Sequence, residues 1–333
     1  MGLRARIIGS GSYLPEKILT NQDLEKMVDT TDEWIVSRTG MKERRIAAED
    51  EAASDLGVKA AKRVLESTKT PVEDIELILV ATMSPDYISP STASLIQAKL
   101  GAKAAAAFDL QAACTGYLYG LSAAKAYVEA GIYRKVLLIT TEKMSAFMDY
   151  QDRNTCVLFG DGAAASLITA SGPGLEIGPV SLGSDGNLAN LIIIPGGGSK
   201  IPATEETVRQ KQHFFKMEGK EVFKHAVRRM TAAAKECMEK EGIDEHGISW
   251  MIPHQANIRI IDAIGKQFSI PPEKVYKTLH KYANTSASSI PIALDELIDS
   301  KQIKLGDRIL LVAVGGGLTW GATLLKQVIG DAC

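Results

Sequence analysis

A repeated order of segments restricts the fold more than any other feature of this chain. In the first half, an apolar run at residues 75–81 is followed by a helical pattern at 90–100 and a strand-like segment at 104–110. A helix at about 114–130 and a second apolar strand at 135–140 come next. The second half repeats the order with 248–252, 256–268, 275–281, 289–300 and 308–314. Thirty residues separate Ser84, just past the first of these strands, from Cys114, and thirty separate His254, just past its counterpart, from Asn284. Val136-Leu-Leu-Ile139 and Ile309-Leu-Leu-Val312 follow at similar intervals. An internal duplication of about 160 residues accounts for the match and divides the chain into halves 1–172 and 173–333. It places Cys114 and Asn284 at equivalent helix starts about a pseudo-twofold axis. Near-continuous apolar strands alternating with helices predict an α/β chain of mostly parallel sheets covered by helices. Packed face to face, the halves would enclose the 114–130 helix. That explains why its only charges are Lys125 and Glu129.

Outside the repeat, residues 4–9 read as a first strand and Asn21 as the N-cap of a short helix. Residues 50–67 form an amphipathic helix with Ala52, Leu56, Ala60 and Val64 at four-residue steps. The 333 residues are 45% hydrophobic and 23% charged, with net charge −2. This excludes disorder, a polyanionic partner and a membrane surface as organising themes. The four cysteines, Cys114, Cys156, Cys237 and Cys333, contain no CxxC pair and imply neither zinc nor a disulfide framework. The N-terminus has no signal-peptide core, and no apolar run approaches the roughly 18 residues of a membrane span. A soluble cytoplasmic enzyme is expected.

Four features carry possible chemistry, each with a bland counterpart. Cys114 enters a helix start, where the dipole favours thiolate, yet a free cysteine is commonly a small buried hydrophobe. His254 lies between a strand end and a helix start, where parallel sheets place functional residues; it also suits a buried hydrogen bond. Asn284 suits a helix cap or a donor to substrate. Residues 315–317, all glycine, suit a tight connection, or backbone N–H groups brought close to an oxyanion.

Taken together, several blocks resemble the signature segments of β-ketoacyl-acyl carrier protein synthase III. They are Leu110-Gln-Ala-Ala-Cys-Thr-Gly-Tyr117, Ile252-Pro-His-Gln-Ala-Asn-Ile-Arg-Ile260, Asn284-Thr-Ser-Ala-Ser288 and Gly315-Gly-Gly-Leu-Thr-Trp-Gly321. Asp32-Glu-Trp-Ile-Val-Ser-Arg-Thr-Gly40 and Phe159-Gly-Asp-Gly-Ala163 extend the resemblance over the whole chain. It implies the thiolase-like fold, two duplicated α/β halves in an αβαβα arrangement. It also implies initiation of type II fatty acid synthesis by decarboxylative Claisen condensation of a short acyl-coenzyme A with malonyl-acyl carrier protein. Cys114 would be the acyl-accepting nucleophile, with the N–H groups of Cys114 and Gly316 as oxyanion hole. His254 and Asn284 would bind the malonyl thioester carbonyl. Coenzyme A would meet Thr30, Trp34, Arg38 and Arg153, with Phe223 and Asn257 along the pantetheine tunnel. An indole stacks on adenine and arginines suit phosphates. Ser89 and Phe159 would shape the acyl pocket, and Lys224, Arg259 and Lys266 would dock the acidic carrier protein.

The resemblance further implies a homodimer, no metal or cofactor beyond the coenzyme A thioester substrate, and no nucleic-acid or membrane partner. This chain departs from the family pattern at Ala283, where glycine is usual, and at Lys220, where asparagine often contacts coenzyme A. Ser89, supplied to the pocket by the partner subunit, leaves room for primers longer than acetyl. Chain-elongating relatives would carry a histidine in place of Asn284, and thiolases a second cysteine near 315–317. An acyltransferase of a secondary pathway with another acceptor is the alternative. A Cys/His/Asn hydrolase is disfavoured by the duplicated apolar core.

Overall fold

Side chains that alternate across each strand decide the layering. The computed structural model describes residues 2–330; Met1 and residues 331–333, including Cys333, lie outside the described residues. The strands of the large sheet are β1 Arg6–Tyr13, β2 Leu77–Ala81, β3 Ala106–Leu110, β4 Lys135–Glu142 and β5 Gly162–Thr169. They continue as β6 Gly174–Ser184, β7 Trp250–Pro253, β8 Arg308–Gly315 and β9 Thr319–Val328. Their spatial order is β7-β8-β9-β6-β1-β5-β4-β2-β3. At the centre, β1 and β6 meet through the pairs Arg6–Glu176 and Ile7–Leu175, so two half-sheets share one short seam.

The repeat is visible in topology. The first half runs β1-β5-β4-β2-β3, and the second runs β6-β9-β8-β7 and then a parallel bridge between Met251 and Val275. In chain order both halves read first, fifth, fourth, second, third. The directions match too: the first two neighbouring pairs are antiparallel and the next are parallel in each half. The expectation of mostly parallel sheets is therefore corrected. Only the strands joined through helices run parallel, whereas the short connection from β8 to β9 permits just an antiparallel pair. Residues 275–281 supply that bridge and a short helix, Leu279–Tyr282, not a full strand.

The main helices are α1 Asp32–Thr39, α2 Ala53–Thr68, α3 Thr92–Leu100, α4 Gly116–Glu129, α5 Gly219–Glu241, α6 Ile258–Gln267 and α7 Ser289–Asp299. Leu77, Leu79, Val136 and Leu138 from one half-sheet, with Trp250, Ile252, Ile309 and Leu311 from the other, close on Leu118 and Leu121 of α4 and Ile290 and Leu294 of α7. The intervening Ile78, Val80, Leu137 and Ile139 face Leu56, Ala60 and Val64 of α2 and Ile96 of α3. Leu310, Val312 and Val314 face Ala226 and Met230 of α5 and Ile261 and Ile264 of α6. The result is the αβαβα sandwich, with α4 and α7 as its central layer. A Cβ on Gly116 would lie 3.0 Å from Ala81 Cβ and 3.1 Å from Ala287 Cβ, so α4 starts where the halves touch.

Two local expectations change. Cys114 occupies a 3-10 turn, Ala113–Thr115, immediately ahead of α4, while Gly131 follows the helix at φ 70° as a C-terminal stop. Thr20, not Asn21, caps the Asn21–Glu25 helix: Thr20 Oγ1 accepts from the Asp23 amide, and the Asp23 carboxylate accepts from the Thr20 amide. That box satisfies two free N–H groups at once. Asn21 is buried and donates instead to Asp32 and the Met41 carbonyl. No helix among the described residues is long and apolar enough to cross a membrane. Replacing the fully buried Leu311 in the central layer with alanine is expected to cost about 2–5 kcal/mol, read as a lower midpoint of denaturant unfolding.

Candidate active site

Three segments from different parts of the chain converge on one cavity of 1120 Å³, whose lining includes Cys114, His254 and Asn284. Cys114 is delivered by β3 through Ala112 and Ala113, the latter held at φ 46°. A Cβ on Gly315 would come within 2.8 Å of the Cys114 amide nitrogen and 3.1 Å of that of Thr115. Only glycine lets the end of β8 approach the cysteine turn this closely. The hydroxyls of Thr115 and Thr319 lie 2.7 Å apart; Thr115 donates to the Ala112 carbonyl and Thr319 reaches the Gly316 carbonyl at 3.0 Å. The glycine turn and the cysteine turn are thus tied together, with Gly316 against Ala113.

His254 follows β7, its amide donating to the Val312 carbonyl at 2.8 Å. Its Nδ1 lies 2.6 Å from Ser289 Oγ, which also accepts from the Gln255 amide at 3.3 Å. A serine proton given to Nδ1 leaves the ring proton on Nε2, the tautomer that can donate to a substrate oxygen. Asn284 is held by backbone bonds to Leu158 and Gly160. Its Oδ1 accepts from the Ser286 amide at 2.8 Å, leaving the Nδ2 donors for the cavity. Ala283, ahead of it, sits at φ 55° and ψ −149°, a region suited to glycine.

Cys114, His254 and Asn284 are all buried, and burial dominates the electrostatics of the first two. It pushes the Cys114 thiol up to about 12, against a lowering hydrogen bond from Ser286. The helix-start dipole anticipated from the sequence is therefore opposed by desolvation, and the resting side chain is a thiol. Burial pushes His254 down to about 3, so the ring is neutral in the physiological range.

The remaining candidates divide by location. Phe159 lines the cavity and packs edge-on against Phe215, 4.7 Å between centroids, beside Leu158, Ile192, Met217 and Val314. Arg38, Phe223, Lys224, Asn257 and Arg259 also line it, as does Lys220. Asn257 caps α6, accepting from the Arg259 amide and donating to the Arg38 carbonyl. Arg259 donates to the Ser37 carbonyl, and Lys224 pairs with Glu221 at 2.6 Å. Trp34 lies outside the lining but carries two guanidinium groups, Arg38 at 4.7 Å and Arg153 at 5.2 Å from the ring centroid. The Thr30 hydroxyl, just before α1, is buried without a hydrogen-bond partner. Lys266 lies in the last turn of α6, and Ser89 is exposed; neither lines the cavity of its own chain. Sequence reasoning passed over Ser289, Ser286 and Glu142. Serines after Asn284 read as cap residues, and a glutamate ending an apolar strand reads as that strand's solvent end.

Residues 108–186 match the family described as 3-oxoacyl-[acyl-carrier-protein (ACP)] synthase III, and residues 238–327 match its C-terminal part. The chain is 60% identical over 328 residues to the β-ketoacyl-[acyl-carrier-protein] synthase III of Chlamydia caviae, covering 98% of each. It is similar to the crystal structure of 3-oxoacyl-[acyl-carrier-protein] synthase III from Aquifex aeolicus, with TM-score 0.89, 46% identity and coverage of 97% and 99%. It is also similar to the priming β-ketosynthase of the R1128 polyketide pathway, with TM-score 0.91, 35% identity and coverage of 98% and 97%.

Against the family's usual glycine, Ala283→Gly is expected to stabilise the protein by about 1–3 kcal/mol by relieving the positive φ, read as a raised thermal midpoint. The chain belongs to the β-ketoacyl-[acyl-carrier-protein] synthase III family.

Proposed function

We propose that the two halves of this chain, 1–172 and 173–333, divide the family's reaction between them. The chain is a condensing acyltransferase that initiates fatty acid synthesis by joining an acyl-coenzyme A to malonyl-acyl carrier protein. The observation that carries the division is that Cys114 from one half, and His254 and Asn284 from the other, line the same cavity. In the first half-reaction Cys114 Sγ attacks the acyl-coenzyme A carbonyl, the carbon–sulfur bond to coenzyme A breaks, and coenzyme A leaves as a thiolate that solvent protonates. The amides of Cys114 and Gly316 receive the developing oxyanion; removing one such donor typically costs roughly 100- to 1,000-fold in rate. In the second, the malonyl thioester oxygen accepts from His254 Nε2–H and Asn284 Nδ2–H. Loss of carbon dioxide leaves an enolate whose charge those donors hold. Its carbon attacks the acyl-Cys114 carbonyl, the Cys114–acyl bond breaks, and 3-oxoacyl-carrier protein leaves. A covalent intermediate makes the kinetics ping-pong.

The cavity mouth favours anionic carriers, since Arg38, Lys216, Lys220, Lys224 and Arg259 outnumber Asp152 and Glu218. Trp34, with the Arg38 and Arg153 guanidinium groups within 4.7 and 5.2 Å of its ring centroid, offers an aromatic surface for adenine beside phosphate-binding charge. In this reading Arg153 and Thr30 complete the coenzyme A site, Phe223 and Asn257 line the pantetheine path, and Lys266 extends the carrier-protein patch. The sheet edge supports the homodimer reading. β3 has a free side, and Phe108, Tyr87 and Ile88 beside it are exposed, the last at 88%. Ser89, on that surface, would reach the partner subunit's acyl pocket beside Phe159. The likeness to a polyketide priming synthase supports a second reading, an acyltransferase serving another acceptor. A cytoplasmic location fits both.

Intact-mass spectrometry after mixing with acetyl-, isobutyryl- and octanoyl-coenzyme A, then malonyl-carrier protein, tests this reading. A mass gain confined to Cys114 and discharged by malonyl-carrier protein is expected, with primers longer than acetyl accepted because Ser89 is small. Asn284→Ala is expected to keep acylation and lose decarboxylation by roughly 100-fold or more; joint loss of both would refute the assigned role. Because the folded-state value of His254 is depressed, the stability of its neutral form is fully present above its ordinary 6.5. That stability is lost as pH falls through about 3. Carbon dioxide release from the pre-formed acyl-enzyme is accordingly expected to show no break near pH 6.5 arising from His254.

A further inference from the structure

We propose that Glu142, acting through the Ser286 hydroxyl, takes up and returns the proton of the Cys114 thiol during each catalytic cycle. Glu142 ends β4 with no solvent exposure. Its carboxylate accepts from Ser84 Oγ at 2.6 Å, Thr82 Oγ1 at 3.2 Å, the Met83 amide at 3.1 Å and the Ala287 amide at 3.4 Å. The Ser286 hydroxyl is a further neighbour and favours its ionised form; in this structure it directs its proton at Cys114 Sγ, 3.6 Å away. One rotatable hydroxyl therefore stands between thiol and carboxylate, able to accept from S–H while donating to Glu142.

The groups facing the carboxylate are Thr82, Met83 and Ser84 after β2, Ser286 and Ala287 from the Ser286–Ser288 turn, and the Cys114 thiol. Cys114 is the titratable neighbour, and no cation is among the groups that set the ionisation of Glu142. Burial raises the carboxyl to about 7, where a proton acceptor works best at neutral pH. His254 is a poor acceptor by comparison, with Nδ1 engaged by Ser289 and its ring pushed down to about 3.

The proton balance closes over the cycle. As Cys114 Sγ bonds to the acyl carbon, its proton passes to Ser286 Oγ while the serine proton passes to Glu142. The coenzyme A thiolate leaves and is protonated by solvent. When the enolate takes the acyl group, Cys114 departs as thiolate, recovers its proton through Ser286, and Glu142 is again a carboxylate.

The proposal rests on Cys114 being the acyl acceptor, and one experiment separates the two. Full-length protein and its Glu142→Gln and Ser286→Ala variants are mixed with acetyl-coenzyme A in rapid quench. The Cys114 acyl-enzyme is then quantified by intact mass between about pH 5.5 and about pH 9. The wild-type acylation rate is expected to rise through neutral pH and level off. Both variants are expected to lose that inflection and to acylate about 100-fold more slowly near pH 7.5. A merely structural role would lower the rate at every pH and leave the inflection in place, which overturns the proposal. A wild-type profile with no inflection near neutrality overturns it as well. Should Glu142→Gln fail to fold by circular dichroism, Ser286→Ala decides alone, since it removes a single hydroxyl. Wild-type protein that gains no mass on Cys114 overturns the acyl-acceptor reading and the proton path together. Acylation with unchanged variant profiles overturns the proton path only.

Discussion

The close approach of two helix starts at the centre of the molecule governs everything built around it. Gly116, the first residue of α4, meets Ala287, just ahead of α7, with no room for a larger side chain. Both helices are covered on two sides by half-sheets, so neither can shift without disturbing packed side chains in the central layer. Cys114 precedes one helix, and Asn284, Ser286 and Ser289 surround the start of the other. The packing that makes the core therefore also brings the candidate site residues of the two turns to one cavity.

Pressing them together has an electrostatic consequence. Burial moves three ionisable groups at the centre of the site toward their neutral forms: the Cys114 thiol up, the His254 ring down, the Glu142 carboxyl up. A neutral imidazole and a neutral amide are suited to donating hydrogen bonds to an oxygen that gains charge, since neither need change protonation state. A neutral thiol is a weaker nucleophile, which makes the route of its proton a matter for the surrounding hydroxyls. Backbone strain collects at the same place. Ala113, Ala283 and Ser286 all have positive φ without being glycine. Each lies within two residues of Cys114 or Asn284, where the surrounding packing can hold a costly conformation.

Much of this was legible in the chain itself. Matched thirty-residue spacings and apolar strands at equivalent places revealed the repeat, because strands buried on both faces admit little else than branched aliphatic residues. Cys114, His254 and Asn284 stood out because each follows a strand or opens a helix. The charged and capping details were harder to read. Thr20 and Asn21 are both good caps, and the choice fell to Thr20 because Asp23 answers it and Asn21 is needed beneath Arg44. Glu142 gave no signal: one carboxylate after six uncharged strand residues looks like a strand reaching water.

What the sequence determined by itself was the alternation of elements, the repeated order of segments and the choice of candidate side chains, since these follow from local periodicity and residue chemistry. Tertiary structure alone decided the strand directions in each half, the seam between β1 and β6, and the burial that sets each ionisation. It also placed Glu142 one hydroxyl away from Cys114. Those properties depend on which distant segments meet, and desolvation acts on a group only after the chain around it has closed.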